Sequence, residues 1–224
     1  MGTLLSVNLA VPEPNPAKSS GTTGITKRPV PGPVPVRAPG PRDGGLGSGL
    51  VGDRIFDVRH HGGDDQAVYA YAREDYDWWE RELGRDLAGG TFGENVTTVG
   101  VDVNGAAIGE CWRIGRDVVL QTTFGRVPCA TFQHKMAEPH WVKRFTRQAR
   151  PGAYLRVVEP GEIRAGDEVT VVHRPRVRVT IAEGFRAWLL EPELLPRLLE
   201  VDEAPERLKD GVRRRLAGRE EAAG

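Results

Sequence analysis

This 224-residue sequence contains little sulfur, with only two cysteines and two methionines. It also has no net charge, because 31 basic residues balance 31 acidic ones. Two cysteines cannot build a disulfide framework in a chain of this length, so a reducing compartment is expected. A net charge of zero gives the chain as a whole no electrostatic attraction to nucleic acid. The longest apolar runs fall far short of a membrane span, and the N-terminal segment lacks the basic region and cleavage site of a signal peptide. The composition therefore predicts a cytoplasmic protein with neither nucleic acid nor a membrane as its partner.

The sequence also lacks the common signatures of zinc enzymes and serine hydrolases. His60 and His61 are adjacent and would face opposite sides of a strand, while His134 and His140 do not fit a zinc spacing. There is no Cys-x-x-Cys pair and no G-x-S-x-G elbow. These observations argue against a zinc site and against a Ser-His-Asp triad.

Residues 47–52, "GSGLVG", match the glycine pattern of dinucleotide-binding loops. Such a loop needs a strand before it and a helix that opens inside it. Here the preceding segment 31–48 is rich in proline and glycine, and the following "DRIFDV" (53–58) alternates like a strand. We therefore expect no dinucleotide site, and we expect a strand over 53–58. The function of segment 31–48 stays open, with a lid over a site as one hypothesis.

Short strands separated by turns dominate the sequence up to the last 45 residues or so. Alternating or continuous apolar patterns bounded by turn residues predict strands at 3–11, 106–115, 118–124, 154–159 and 168–173. Residues 26–30 and 34–37 fit edge strands, but the prolines around them fit a coiled loop at a barrel rim as well. Many short strands with a turn every ten residues or so are typical of a closed or partly closed β structure.

One helix interrupts this pattern at 72–83, "AREDYDWWEREL". Tyr76, Trp79 and Leu83 would share one face of it, and Gly84 suits its C-terminal cap. A shorter helix is predicted at 139–148. The aromatic residues of the first helix are better explained by core packing than by a cofactor site.

The C-terminal part changes to helical patterning. Thr180 and Glu183 have the spacing of a capping box, which predicts a helix to about residue 190. Pro192 suits the first position of a second helix to about residue 200, and Pro205 the start of a third. Gly218 is expected to end that third helix.

Two glycine-containing turns carry polar side chains. In "RHHGGDDQ" (59–66), glycines allow close approach to a ligand and His61 supplies a polar group, but the aspartates could equally cap backbone amides in a tight turn. In "TFGENVTT" (91–98), Gly93 can adopt a positive φ, and Asn95 could hydrogen-bond its own backbone instead of a ligand.

The two cysteines differ in their setting. Cys129 follows Pro128 and lies three residues after Arg126, whose guanidinium would favour the thiolate, the nucleophilic and metal-binding form. The alternative is a packed thiol, since free cysteine is among the most often buried residues. Cys111, inside an apolar strand, fits the packed alternative well.

Taken together, the motifs resemble the MOSC family, the domain found at the C-terminus of molybdenum cofactor sulfurases and as stand-alone bacterial proteins. The resemblance runs from about residue 4 to about residue 217, and its helical tail looks like that of the YiiM-like branch. The motifs that carry it are "GITKRPV" (24–30), "GLVGD" (49–53), "HHGGDDQAVYAYAREDYDWW" (60–79), "FGENVTT" (92–98), "IGECWRIG" (108–115), "GRVPC" (125–129) and "GAYLRVVEPGEIRAGDEV" (152–169).

The resemblance implies a mainly β fold. Residues 1–178 would form a MOSC-type, β-barrel-like domain with a few helices, and residues 179–224 a three-helix extension. It also implies a pocket for the molybdenum cofactor, molybdopterin with its metal, and a role for Cys129 as the molybdenum ligand and catalytic residue. The residues expected to lie near the anionic cofactor are Lys27, His61, Arg73, Arg126, Arg54 and Asn95. A cofactor phosphate is expected at the N-terminal end of the helix that carries Arg73.

By analogy with family members, the expected activity is the reduction of N-hydroxylated small molecules. A partner reductase would supply the electrons, because the sequence has no flavin or iron–sulfur motif. Two alternatives stay open: sulfur transfer through a persulfide on Cys129, and a non-catalytic cofactor carrier. One departure from the family pattern is Asp64-Asp65, which adds negative charge near an anionic ligand unless Asp64 points to solvent.

Overall fold

The computed structural model describes residues 1–18 and 21–223. In these ranges the strands are β1 (Gly2–Ala10), β2 (Glu13–Asn15), β3 (Gly21–Thr23), β4 (Lys27–Pro29), β5 (Val34–Val36), β6 (Val68–Ala72), β7 (Val96–Val99), β8 (Cys111–Ile114), β9 (Val118–Phe124), β10 (Ala153–Glu159), β11 (Gly161–Ile163) and β12 (Glu168–His173). The α-helices are α1 (Arg73–Leu83), α2 (Ala130–Met136), α3 (Trp141–Gln148), α4 (Ile181–Leu189) and α5 (Glu206–Ala223). Two 3₁₀ helices cover Asp64–Gln66 and Pro192–Leu199.

Seven of the strands close into a barrel in the order β12-β8-β9-β10-β6-β7-β1, and β1 pairs back to β12. All neighbours are antiparallel except β6 and β7, which are parallel. Strand β4 adds to the far end of β1, and β2–β3 and β5–β11 form separate two-stranded ribbons. The mainly β, barrel-like fold predicted from the sequence is confirmed.

Two clusters of buried side chains hold the fold together. The barrel interior is aliphatic, with Val7, Val68 and Leu120 fully buried, because alternate residues of each strand point inward. The outer face of β6 is covered by helices, so it also buries large side chains. There Tyr71 stacks on Phe92, with ring centroids 4.3 Å apart. This second, aromatic cluster joins the barrel to α1, α2 and α3.

The C-terminal helices pack directly on the barrel. Thr180 and Glu183 form the predicted capping box at the start of α4. Gly184 lets α4 approach closely, because a Cβ at that position would lie 2.9 Å from Ile108. Apolar residues of the tail, such as Leu198, share one buried cluster with the barrel interior. The expected boundary at 178/179 falls just before α4, and residue 224 lies outside the described residues.

Several local predictions need correction. Residues 53–58 form no strand: they are an irregular segment, in which Asp57 pairs with Lys18 at 2.8 Å. The second tail helix is a 3₁₀ helix, because Pro196 inside it has no N–H to donate. Helix α5 continues past Gly218, where a side chain would meet no neighbour. Helix α2 was not predicted. Within the described ranges, no helix is long and apolar enough to cross a membrane.

Candidate functional site

A cavity of about 100 Å³ opens beside the barrel, between the irregular segment 53–62, the side chains of β6 and β10, and the start of α2. Its polar lining residues include Asn15, Lys18, Lys27, Arg54, Asp57, His61, Gln66, Asn95, Arg126 and Cys129. Six of the seven residues expected near a cofactor therefore meet here, although they come from five separate stretches of the sequence. Arg73 is the exception.

Cys129 lies immediately before α2, and its free thiol is half-buried. Cys129 and the side chain of Arg126 line the same cavity and lie close enough to interact. The structure thus brings together the cysteine and the arginine that the sequence places three residues apart. Cys111, by contrast, is buried in β8, where its thiol contacts the Gly109 carbonyl. It behaves as a packed side chain.

Arg126 is a buried cation without an acidic partner among the residues that the structure describes. Only 6% of its surface is exposed, and no described carboxylate lies within 4.0 Å of it. One guanidinium nitrogen donates to the carbonyl oxygen of Phe92, while the group packs 4.3 Å from the Phe132 ring centroid. Its Nε is buried and has no hydrogen-bond partner among the described residues. Burial by itself lowers the pKa of Arg126, but Tyr154, Tyr69 and Cys129 raise it overall, so the group stays charged.

Lys27 and Asn95 are both held by one carboxylate, Asp53. Lys27 Nζ lies 2.6 Å from Asp53 Oδ1, and Asn95 Nδ2 lies 2.9 Å from Asp53 Oδ2. The backbone N–H of Ala10 and the hydroxyl of Ser48 complete the environment of this carboxylate at 2.8 and 2.7 Å. Burial lowers the pKa of Lys27 despite the attraction of Asp53. Burial raises the pKa of Asp53, but Lys27 and the other donors lower it overall. Much of the charge of Lys27 is therefore neutralised locally.

Asn95 also ties strands together instead of bonding its own backbone. Its Oδ1 accepts a hydrogen bond from the N–H of Tyr69 at 3.1 Å. Its Nδ2 contacts the carbonyl of Asn8 at 3.4 Å as well as Asp53. Asn95 therefore lines the cavity, but its polar atoms are already occupied.

The loop that carries His61 depends on its two glycines. Gly62 and Gly63 both have positive φ, 85° and 81°, and a Cβ on Gly63 would lie 2.9 Å from the backbone nitrogen of Arg42. The loop therefore packs tightly against segment 31–48. The exposed Asp64 accepts from the Gly40 N–H at 2.9 Å, and neither Asp64 nor Asp65 lines the Cys129 cavity. This arrangement removes the electrostatic objection that the two aspartates raised.

The imidazole of His61 faces the cavity and forms no hydrogen bond with any described residue. Burial, followed by the charges of Arg126 and Lys18, lowers the pKa of His61 to about 4. At neutral pH the ring is therefore uncharged. It can accept or donate one hydrogen bond to a ligand.

The His61 pKa has a consequence for stability. Because the native pKa is about 4 and the reference value is 6.5, the unfolded chain binds more protons between these values. Stability contributed by His61 is thus lost as the pH falls from 6.5 towards 4. A His61→Gln variant is expected to lose less stability than wild type between pH 7 and pH 5, by on the order of 1 kcal/mol. Urea unfolding at both pH values measures this. His134→Gln, at an exposed position, is the control, and an equal loss in all three proteins would contradict the prediction.

The remaining two arginines occupy different places. Arg54 is exposed at the rim, 4.9 Å above the Phe56 ring centroid, with no carboxylate of the described residues within 4.0 Å. Arg73 lies outside the cavity and binds Asp77 at 2.8 Å and Glu80 on its own helix. The structure therefore does not bring Arg73 together with the other six residues.

The N-terminal end of α1 is not suited to a phosphate either. Its first turn carries Glu74 and Asp75, and the cavity beside it also includes Asp102. These carboxylates would repel an anion. Asp77 and Glu80 lie four and seven positions after Arg73, a spacing that predicts ion pairs along one face of a helix. The sequence could therefore have shown that Arg73 is paired on its own helix and is not free to bind a cofactor.

Sequence reasoning missed two tyrosines and the acid behind Lys27. Tyr69 and Tyr154 line the cavity, with ring centroids 5.1 Å apart, and Tyr154 lies close enough to Arg126 and Cys129 to feel their charges. Burial raises the pKa of Tyr154, so its hydroxyl stays protonated at neutral pH. Asp53 stood in the quoted motif "GLVGD". A buried lysine needs an acidic partner, and this requirement was the signal that could have pointed to Asp53.

The fold and the site together define a β-barrel domain with a cationic cavity built around one thiol. The MOSC domain family matches residues 57–170, and the chain belongs to that family. The family is named for the molybdenum cofactor sulfurases, which makes this a molybdenum-cofactor-associated domain.

Individual relatives agree with this placement. The chain is 30% identical to "Uncharacterized protein YflK" of Bacillus subtilis over 179 residues, 80% of this chain and 76% of that protein. It is also 30% identical to a "Reductase" of Gibberella moniliformis over 161 residues, which are 70% of this chain but only 28% of that protein. The crystal structure of YiiM from Geobacillus stearothermophilus has the same fold, with a TM-score of 0.76 at 24% identity. The match covers 96% of this chain and 100% of that one.

Proposed function

We propose that this protein is a molybdenum-cofactor-binding oxidoreductase that reduces N-hydroxylated compounds with electrons from a partner reductase. The observation that carries the proposal is the pair Arg126 and Cys129. A buried guanidinium with an unpartnered nitrogen lies against a half-buried thiol, in a cavity with further cations. The printed name of the Gibberella relative, "Reductase", supports the reaction class.

The side chains of the cavity fit the chemistry of the cofactor. Molybdopterin carries a phosphate and an anionic dithiolene, so its site needs cations and hydrogen-bond donors. Arg126 and Arg54 have no acidic partner among the described residues and are free to bind an anion. His61 adds an uncommitted ring nitrogen, and Lys27 and Asn95 add polarity behind it. Cys129 would supply sulfur, a soft ligand, to the molybdenum of the cofactor.

When bound, the cofactor would supply the two-electron redox change at molybdenum. The chain would hold and orient it. Arg126 would stabilise negative charge on the bound anion beside Cys129, and its position is fixed by Phe92 and Phe132. Because Arg126 is held before any ligand arrives, little reorganisation is needed on binding.

Reduction of an N–OH group to N–H consumes two electrons and two protons and releases water. The electrons come from the partner reductase, and the protons come from the site. Tyr154 Oη keeps its proton at neutral pH and lies near Cys129, so it is placed to donate one proton, while solvent in the cavity supplies the second proton and then reprotonates Tyr154. Neutral His61 is a hydrogen-bonding group and not an acid at this pH.

A second function, sulfur transfer, is favoured by one observation: the partly exposed Cys129 shares its cavity with the Arg126 guanidinium, which would also stabilise a persulfide anion. In that case Cys129 would carry the transferred sulfur atom. Intact-protein mass spectrometry separates the two functions, because a persulfide adds the mass of one sulfur atom to Cys129.

The proposed function is tested by producing the protein in a bacterial host that makes molybdopterin and in an otherwise identical host that does not. We expect about one molybdenum per chain only from the first host, by elemental mass spectrometry. We also expect that only the protein from the first host, which contains molybdenum, reduces benzamidoxime with a chemical electron donor. Protein with molybdenum but no turnover would favour the carrier alternative, and protein without molybdenum from either host would contradict the proposal.

A further inference from the structure

A second cavity adjoins the first. It has a volume of about 300 Å³ and shares His61, Gln66 and Tyr154 with the Cys129 cavity. These three side chains therefore form the boundary between the two spaces. A molecule in the second cavity would reach the region of Cys129 past them.

The walls of this second cavity come from two parts of the chain that the proposed function does not use. Arg42 belongs to the Pro/Gly-rich segment 31–48, whose role stayed open, and is half-buried. Trp188 of α4 and Arg207 of α5 come from the C-terminal helices. Segment 31–48 and the C-terminal helices therefore both border this second cavity.

The inner wall is apolar and partly accessible. Phe124 and Trp188 pack edge-to-face with ring centroids 6.2 Å apart, and both are half-buried. Val127 has 40% of its surface exposed although it lies only two residues from Cys129. Such a surface suits an aromatic or aliphatic body.

The outer wall is cationic. Neither Arg42 nor Arg207 lies within 4.0 Å of a carboxylate among the described residues, and the one acid in the wall, Asp65, is paired with Arg156 at 2.7 Å. Arg42 Nε instead contacts the carbonyl of Gly62 at 3.4 Å. Arg42 and Arg207 line the same cavity, and burial together with the like charge of Arg207 lowers the pKa of Arg42. An anion bound between them would relieve this repulsion.

We infer that this cavity is the substrate site and that it selects N-hydroxylated compounds with an apolar, aromatic body and an anionic group such as a carboxylate. The aromatic body packs on Phe124 and Trp188, and the anionic group binds Arg42 and Arg207. The N-hydroxyl group then points past Tyr154 towards Cys129. The inference rests on the proposed function for its reaction, but the anion site can be tested without turnover.

The test compares binding of 4-carboxybenzamidoxime and benzamidoxime by isothermal titration calorimetry, with the purified protein from the two hosts described above. We expect the carboxylate compound to bind roughly tenfold more tightly than the neutral one at low salt, because hydrogen bonds to charged groups are the stronger kind. Arg207→Gln and Arg42→Gln are each expected to remove most of this preference. Rising NaCl concentration should also weaken it.

Arg214→Gln is the matched control, because Arg214 is exposed on the same helix, α5, and lies outside the cavity. It should keep the full preference. Equal affinity for the two compounds in wild type, or an unchanged preference in Arg207→Gln, would overturn the inference. Reduction of both compounds with no preference would overturn the anion site alone, whereas a preference without any turnover would overturn the proposed reaction alone.

Discussion

Cys129→Ala is expected to lose bound molybdenum and to reduce benzamidoxime more than about 100-fold more slowly than wild type. The magnitude follows from the usual effect of groups that only support a metal ligand, which is already 10–100-fold on affinity or activity. Removing the ligand itself should do at least as much. The protein should otherwise fold, since Cys129 is only partly buried, packs against the aromatic cluster and stands immediately before a short helix.

The matched control is Cys111→Ala, which removes the other thiol of the chain. Cys111 is buried in β8, near Gln121, and does not line the Cys129 cavity. Its variant should keep molybdenum and turnover, with a small loss of stability from the space that the sulfur leaves. Molybdenum measured per chain and turnover measured on the same preparations decide the matter. Stoichiometric molybdenum on Cys129→Ala would contradict the ligand role.

Asp53→Asn should destabilise the fold by about 3–5 kcal/mol, because it leaves the buried ammonium of Lys27 without its counter-charge. Both side chains are nearly inaccessible, 5% exposed for Lys27 and 0% for Asp53. In a chain of this size the expected loss corresponds to a fall in Tm of roughly 10 °C. Thermal and urea unfolding measure it directly.

Two comparisons show whether the charge is the cause. Asp57→Asn removes the partner of the more exposed Lys18 and should change stability by no more than about 1 kcal/mol. A double variant, Lys27→Met with Asp53→Asn, should be less destabilised than the sum of the two single variants, because it removes the unpaired charge. Additive losses would mean that the two side chains act independently.

Local features of the fold could be predicted because they depend on neighbours in the sequence. The capping box of Thr180 and Glu183 and the left-handed Gly84, with φ of 64°, need only a few adjacent residues. The strand β9 was likewise visible as an apolar run. The unpredicted helix α2 is short, and its helical conformation depends on Phe132 packing into the aromatic cluster.

The contents of the cavity could be predicted only in part. Family motifs identified the lysine, histidine, arginine and cysteine that the barrel brings together. They could not reveal that Asp53 neutralises Lys27, because the two residues are 26 positions apart and meet only after β1 and β4 pair. They also could not show that Arg42 and Arg207 border one cavity, since that depends on how the helical extension packs on the barrel.

The closure of the barrel has a consequence for synthesis of the chain. Strand β1 completes the ring by pairing with β12, with Gly2 opposite Val169. Strand β1 is therefore made long before β12, the strand that covers this edge. At bacterial and eukaryotic elongation rates of about 5–20 residues per second, this interval lasts on the order of 10–30 s. During that time β1 is an open strand edge on the ribosome, and contacts so distant in sequence also slow the final folding step.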